Sequence, residues 1–172
     1  MKRTPTGTAV GVDDPYAHVE RCDHVTDDGR CRFAIERPRV DPAFVRDRRA
    51  ADYTCPIGAG EWEWAECPHF ASRSHRHVCN RCGITERPNA HDASRRPLIE
   101  EHHLSYADGA DLGHEITVSL CRWCHAKVHA SWARITDDVR PDPEAIAERE
   151  RRRGEELDEC AFPTAAERHG DD

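Results

Sequence analysis

The 172-residue sequence is short of the apolar residues from which a large hydrophobic core is built. Only 37% of its residues are hydrophobic, against about 45–50% in a typical domain. The longest apolar run near its N-terminus covers residues 9–12, too short for a signal peptide or for the ~20 residues of a membrane span. We therefore expect a small cytoplasmic protein with no membrane partner, whose fold needs metal ions or disulfides for stability.

Lysine is also scarce. Lys2 and Lys127 are the only lysines among 25 basic residues, and 33 acidic residues give a net charge of −8. This balance is typical of halophilic proteins, because concentrated salt shortens the Debye length to ~3 Å or less and self-repulsion then costs little. A GC-rich genome would produce the same arginine bias. Residues 137–172 hold 13 acidic and 6 basic residues, so the acidity does not exclude DNA as a partner of the remaining chain.

Nine cysteines predict metal sites more readily than disulfides. A reducing compartment disfavours disulfides, and the odd number suits two groups of four with Cys160 left over. Two cysteine pairs, each with a two-residue gap, have the spacing of a tetrahedral structural zinc site. The four ligands of this predicted site are Cys79, Cys82, Cys121 and Cys124. Two redox pairs or free thiols are the alternative, but neither pair has a thioredoxin-like context.

A second zinc site is predicted from the more widely spaced cysteines Cys22, Cys31, Cys55 and Cys67. His69 can replace one of the four ligands, and the simpler alternative is that these are buried apolar cysteines. Residues 28–29, Asp-Gly, predict a hairpin turn between the first two cysteines. Trp62 and Trp64 alternate along the chain, which indicates one face of a strand.

Composition divides the chain into four zones. Residues 1–17 lack periodicity and are predicted to be disordered. Residues 18–71 form the first cysteine-rich module, in which Asp41 followed by proline predicts the start of a helix. Residues 72–135 form a second module, and residues 136–172 are predicted to be a charged helix that ends in a frayed tail.

The second module carries the chemistry. Residues 98–104 and 116–120 are predicted to be short strands, and hydrophobic spacing predicts a helix over residues 122–135. The loop between the strands contains Asp-Gly and Leu-Gly steps. The predicted fold class is therefore a small, zinc-stabilised α+β protein with a strand–strand–helix unit.

Four histidines in this unit can build a second kind of metal site. His125 and His129 are four residues apart and lie on one helix face. His102 and His103 are adjacent on a strand and point to opposite faces, so one can reach the same ion while the other lies elsewhere near a substrate.

The second module resembles the HNH endonuclease family, in the variant where zinc knuckles brace a ββα-metal (His-Me finger, treble-clef-like) unit. The matching segments cover about a third of the chain: VCNRCG (78–83), EEHHLSY (100–106), LGHE (112–115) and LCRWCHAKVH (120–129). The first module is similar to uncharacterised cysteine-rich domains of salt-loving archaea, which implies no activity.

The resemblance implies a metal-dependent nuclease that hydrolyses phosphodiester bonds of DNA. His102, His125 and His129 would hold a catalytic Mg²⁺, Mn²⁺, Ni²⁺ or Zn²⁺ ion, and His103 would be the general base. The family's middle Asn has no equivalent, and His114 occupies about its place, either bracing the loop or supplying another ligand. Phosphate would be oriented by an arginine close in sequence, from among Arg95, Arg96 and Arg122.

Two interpretations remain open at this stage. One is an HNH nuclease; the other is a non-catalytic zinc protein on a decayed nuclease scaffold that binds nucleic acid or a protein partner. Trp123 and Trp132 are predicted to pack in the helix rather than to stack on bases, and Tyr106 is predicted to pack in the core or a loop.

Overall fold

The structure, a computed structural model, describes residues 1–86, 98–105 and 114–159. Met1–Asp138 form one compact unit and Val139–Asp172 form a second, described as far as residue 159. None of the helices among these residues is long and apolar enough to cross a membrane. In the first unit nearly all the buried hydrophobic residues form one cluster, which includes residues of the N-terminal segment, of the cysteine-rich segment and of the second module.

The N-terminal segment is packed, so the predicted disorder of residues 1–17 is wrong. Val10 is fully buried and Val12 is 4% exposed, and both belong to the core. The segment folds back on itself through a bridge between Arg3 and Ala9. This short apolar run therefore packs against residues from distant parts of the chain, such as His102.

The cysteine-rich segment that follows contains two helices. Helix α1 spans Arg32–Glu36 and helix α2 spans Pro42–Ala50. The side chain of Asp41 accepts a hydrogen bond from the N–H of Phe44 at 3.0 Å, which confirms the predicted cap and start of α2. The predicted hairpin turn at residues 28–29 is also present, closed by an antiparallel bridge between residues 25 and 31.

The predicted strand around Trp62 and Trp64 is wrong. Residues Trp64–Glu66 form a short 3₁₀ turn. Glu63 precedes this turn, and its side chain and that of Glu66 form a reciprocal capping box with each other's backbone. This local pairing satisfies free N–H groups of the turn. The segment therefore forms a turn, although its two tryptophans alternate as they would in a strand.

A three-stranded sheet lies at the centre of the first unit. Its strands are β1 (Ala71–Ser72), β2 (Ile99–His103) and β3 (Glu115–Cys121), in the order β1-β3-β2. β1 runs parallel to β3 and β2 runs antiparallel to it. Both predicted strands of the second module are thus confirmed. β1 lies across the predicted boundary at residues 71/72, so the two predicted modules share one sheet.

Helix α3, Arg122–Ala130, follows β3 without a loop. It ends before the predicted residue 135, because Ser131 takes an extended conformation and its hydroxyl donates to the carbonyl of Lys127. Ile135 is still buried, but from a non-helical segment. In the second unit, helix α4 spans Pro143–Glu159, as the charged C-terminal pattern predicts.

Candidate metal centres

Four cysteines meet where β3 becomes α3. Their sulfur atoms all lie within 4.8 Å of one another, and they belong to Cys79, Cys82, Cys121 and Cys124. Three of the four are buried and Cys82 is half-buried. Zinc–sulfur bonds of ~2.3 Å in a tetrahedral shell place the sulfurs ~3.8 Å apart, and the Cys82 and Cys121 sulfurs lie 3.7 Å apart. The group could hold a structural metal such as zinc.

The local backbone explains this convergence. Gly83 closes the turn after Cys82 at a φ of 71°, which favours glycine. Asn80, within the same turn, exchanges two hydrogen bonds with Ser119 of β3. Cys121 ends β3 and caps α3, and its sulfur accepts the N–H of Cys124 at 3.5 Å. The two cysteine pairs are therefore joined by the strand itself.

Arg81 supplies a positive charge beside these thiols. Its side chain is only 5% exposed, and it donates to the Cys124 sulfur at 3.8 Å, to the Arg134 carbonyl and to Asp137. Four thiolates around Zn²⁺ carry a net negative charge, so a buried guanidinium compensates part of it. Arg81 was not a sequence prediction, because its partners lie about fifty positions further along the chain.

Crowding gives the thiols unequal acidity. Hydrogen bonds from the Cys121 and Cys124 thiols lower the pKa of Cys79 well below its usual range. Hydrogen bonds of Cys124 with Cys121 and with Cys79 raise the pKa of Cys124 far above its usual value. Crowding therefore opposes the ionisation of all four thiols together, and a divalent cation would be needed to hold all four sulfurs as thiolates.

Three histidines form a second group, between β2 and α3. One nitrogen from each of His102, His125 and His129 lies within 4.8 Å of the others. The three ring centroids are nearly equidistant, separated by 4.9 to 5.0 Å. The spacing of four residues on α3 brings two of the rings together, and β2 presents the third.

Each ring uses one nitrogen for an outer partner. His102 Nε2 lies 2.9 Å from the Val10 carbonyl oxygen, and His125 Nδ1 lies 2.7 Å from Glu100 Oε2. His129 Nδ1 lies 3.3 Å from the Thr8 hydroxyl. Such contacts are typical of metal-ligating histidines, because they fix the tautomer and orient the ring.

The Nδ1 atom of His102 is the strongest sign that this group fits a cation. It is buried and has no hydrogen-bond partner among the described residues. Since Nε2 donates its proton to Val10, Nδ1 carries a lone pair directed at no protein donor. Burial lowers the pKa of His102 to about 4, so the ring is neutral at pH 7, the form that binds metals.

Three supporting groups were missed by the sequence prediction. Thr8 and Val10 lie more than 90 positions from the histidines that they contact, so no local pattern reveals them. Glu100 could have been found, because it lies two positions before His102 and therefore points to the same face of β2. The pair His125–Glu100 confirms that this face is turned to α3.

His103 and His114 lie apart from the three imidazoles. His103 pairs with Thr117 in the sheet register and is half-buried, so its Cβ points away from α3. His114 is 3% exposed, and its Nδ1 lies 2.6 Å from the Tyr16 hydroxyl. It also packs edge-on against Phe70. His114 therefore connects the N-terminal segment to β3 and is not a member of the group between β2 and α3.

The first-module cysteines form a looser cluster of Cys22, Cys31, Cys55 and Cys67. All four are buried free thiols, and every pair among them interacts electrostatically. Unlike the second-module sulfurs, however, these four sulfurs do not all lie within 4.8 Å of one another. Burial raises the pKa of Cys67 to about 11. The structure thus brings the predicted ligands together, but less tightly than the second-module cysteines.

His69 does not take a place in this cluster. Its Nε2 pairs with Asp41 at 2.9 Å, and its ring stacks on Phe33 with a centroid separation of 3.9 Å. Its backbone N–H instead donates to the Cys67 sulfur. The alternative that His69 replaces a cysteine ligand is therefore not supported by its contacts.

The tryptophans after the knuckle differ from each other. Trp123 is partly buried against the core, as predicted. Trp132 is 84% exposed, so the prediction that it packs in the helix is wrong; α3 ends before it. Arg122 lies in the first turn of α3 and is half-buried. The predicted roles of Arg95, Arg96, Tyr106 and Cys160 concern residues outside the described ranges.

Fold and sites together define a small mixed α/β protein with a cysteine group that could hold a structural metal. The chain belongs to a family of unknown function, DUF7097, whose model matches residues 1–168. No curated protein and no solved structure matches the chain.

Proposed function

We propose that this protein is a metal-dependent endonuclease of the HNH type that hydrolyses phosphodiester bonds of DNA in the cytoplasm. The observation that carries the proposal is the triangle of imidazoles from His102, His125 and His129 with a buried, unpartnered Nδ1. A cluster of neutral imidazoles of this kind is a common site for a transition metal. Its supporting hydrogen bonds resemble those of known metal sites.

The three imidazoles would hold a divalent ion, Mg²⁺, Mn²⁺, Ni²⁺ or Zn²⁺. When bound, the ion would supply positive charge to a phosphate oxygen and to the departing 3′ oxygen. Three nitrogen ligands favour the transition metals of this set over Mg²⁺, which prefers oxygen ligands.

His103 is the proposed general base. It neighbours His102 in β2 and lies on the opposite face of that strand. Its imidazole would accept a proton from the attacking water. His114 would act indirectly, by holding Tyr16 and the N-terminal segment against the sheet.

Plasmid nicking tests this proposal directly. Purified protein in high salt, with each divalent ion supplied in turn, should relax supercoiled plasmid. His103→Ala should abolish nicking without changing the zinc content, whereas His102→Ala should also lower the affinity for the added ion. His77→Ala is the matched control, because His77 is a surface histidine with a 79% exposed side chain paired to Glu86.

The alternative function is a non-catalytic zinc protein that binds nucleic acid or a protein partner. The observation in its favour is that His102 and His103 belong to opposite faces of β2. If the wild-type protein never nicks plasmid with any of the four ions, the alternative replaces the nuclease proposal. Retention of activity by His103→Ala would instead remove only the assignment of the base.

We further propose that the first-module cysteine cluster holds a second structural zinc. Backbone N–H groups of Ala71 and His24 donate to the Cys22 sulfur, and such bonds stabilise thiolates. Elemental analysis should find two tightly held zinc ions per chain, and Cys22→Ser should remove one while Cys79→Ser removes the other. A single zinc in the wild-type protein would contradict this second site.

A further inference from the structure

An open cleft of about 300 Å³ lies next to the imidazole group. Its walls come from the N-terminal segment and from the end of α3, and include Arg3, Thr8, His129, Ser131 and Trp132. His129 belongs both to this wall and to the imidazole group. A molecule seated in the cleft would therefore lie beside the proposed metal centre.

Trp132 is the most exposed large apolar side chain among the described residues, at 84%. Tryptophan is highly buried on average, because its indole gains much free energy on leaving water. The turn that carries it is well fixed: the Ser131 hydroxyl donates to the Lys127 carbonyl and accepts the N–H of Ala133. The indole is therefore presented to solvent by an ordered turn beyond α3.

Arg3 provides a cation in the same cleft. One Nη atom donates to the Gly7 carbonyl at 2.6 Å, which positions the side chain. A guanidinium has five N–H donors in a fork, so further donors are left for an anion. An aromatic face and a guanidinium in one groove is the combination that binds single-stranded nucleic acid, in which bases are available for stacking.

We infer that this cleft is a subsite for an unpaired nucleotide of the DNA substrate, with its base stacked on Trp132 and a neighbouring phosphate contacted by Arg3. The inference rests on the proposed function for the identity of the substrate. It adds a preference: DNA with an unstacked base near the cut would bind better than an uninterrupted duplex.

Binding without cleavage tests the subsite. A short labelled oligothymidylate is titrated with the zinc-loaded full-length protein, with no other divalent ion added, and anisotropy is recorded. Trp132→Ala should weaken binding by about 5- to 150-fold, the loss of one stacked base. Val40→Ala, at a 66% exposed apolar side chain, is the control and should change nothing.

Two further variants separate stacking from other causes. Trp132→Phe should retain most of the affinity but lose the quenching of indole fluorescence that the oligonucleotide causes in the wild type. Arg3→Gln should reduce the slope of log Kd against log salt by about 0.7, the value for one phosphate on a single strand. Arg39→Gln, at another exposed arginine, should leave that slope unchanged.

The outcomes distinguish this inference from the nuclease proposal. If Trp132→Ala binds the oligothymidylate as well as the wild type, or loses affinity equally for a blunt duplex, the subsite is refuted, even if plasmid is nicked. If Trp132-dependent binding is found but no metal supports nicking, the subsite stands and the nuclease proposal fails.

Discussion

Among the glycines that the structure describes, Gly11 is the one at which an added methyl group should destabilise the fold most. Its φ is +83°, and a Cβ added there would lie 2.8 Å from Cγ1 of Val128 and 3.2 Å from Cγ1 of Ile135. Val128 is fully buried and Ile135 is 3% exposed, so neither side chain can move into open space. Gly11→Ala would therefore push the N-terminal segment away from α3.

Two effects lower the free energy of unfolding in Gly11→Ala. The left-handed backbone costs a residue with a Cβ roughly 1–2 kcal/mol, and overpacking a filled core costs about 1–3 kcal/mol more. We expect Gly11→Ala to lower the free energy of unfolding by about 2–5 kcal/mol in total. Gly7→Ala is the matched control, because Gly7 has a φ of +87° but nothing within 4 Å of the added Cβ. It should show the backbone cost alone.

Urea unfolding of both variants, followed by circular dichroism, measures the difference. The packing of Gly11 should also affect the imidazole group, because the carbonyl of the neighbouring Val10 orients His102. The Gly11→Ala variant should therefore bind divalent ions more weakly than the Gly7→Ala variant. Equal destabilisation of the two variants would refute the packing of this segment against α3.

The remaining predictions concern the metal centres and the tail. Glu100→Gln should weaken divalent-ion binding at the imidazole group by about 10- to 100-fold in calorimetry, whereas Glu101→Gln, on the opposite strand face, should not. Chelation of the structural metal should abolish the cooperative thermal transition, because metal binding and folding are coupled; an unchanged melting curve would contradict this. Arg81→Met should cost about 1–3 kcal/mol of stability in urea unfolding, since it strips the Asp137 carboxylate and the Arg134 carbonyl of their donor. Deleting residues 139–172, which hold 11 acidic and 6 basic residues, should tighten DNA binding at low salt and leave it unchanged at high salt.

The elements predicted well from the sequence are those whose cause is local. The start of α2 follows from Asp41 and the proline after it, and the knuckle cysteines follow from a ligand spacing that few other structures use. The imidazole group is also predicted in part by a local pattern, because His125 and His129 share a helix face.

Long-range packing explains what the sequence did not reveal. Val10 and Val12 belong to an apolar run of only four residues, and this run lies against His102, Val128 and Ile135, more than 90 positions away. Trp132 was misplaced because hydrophobic spacing continues past the end of the helix, while Ser131 ends α3 through its own hydroxyl.

Because β3 and α3 join directly at Cys121, the cysteine group and the imidazole group are expected to take up their ions in a fixed order. Cys121 is a member of the cysteine group and also the cap of the helix that carries His125 and His129. An ion held by the cysteines would fix the direction of α3, and with it the spacing of two imidazoles. Loss of the structural ion should therefore empty both centres, whereas removal of the ion at the histidines would leave the cysteine centre intact. We thus expect a one-way dependence, of the imidazole group on the cysteine group and not the reverse.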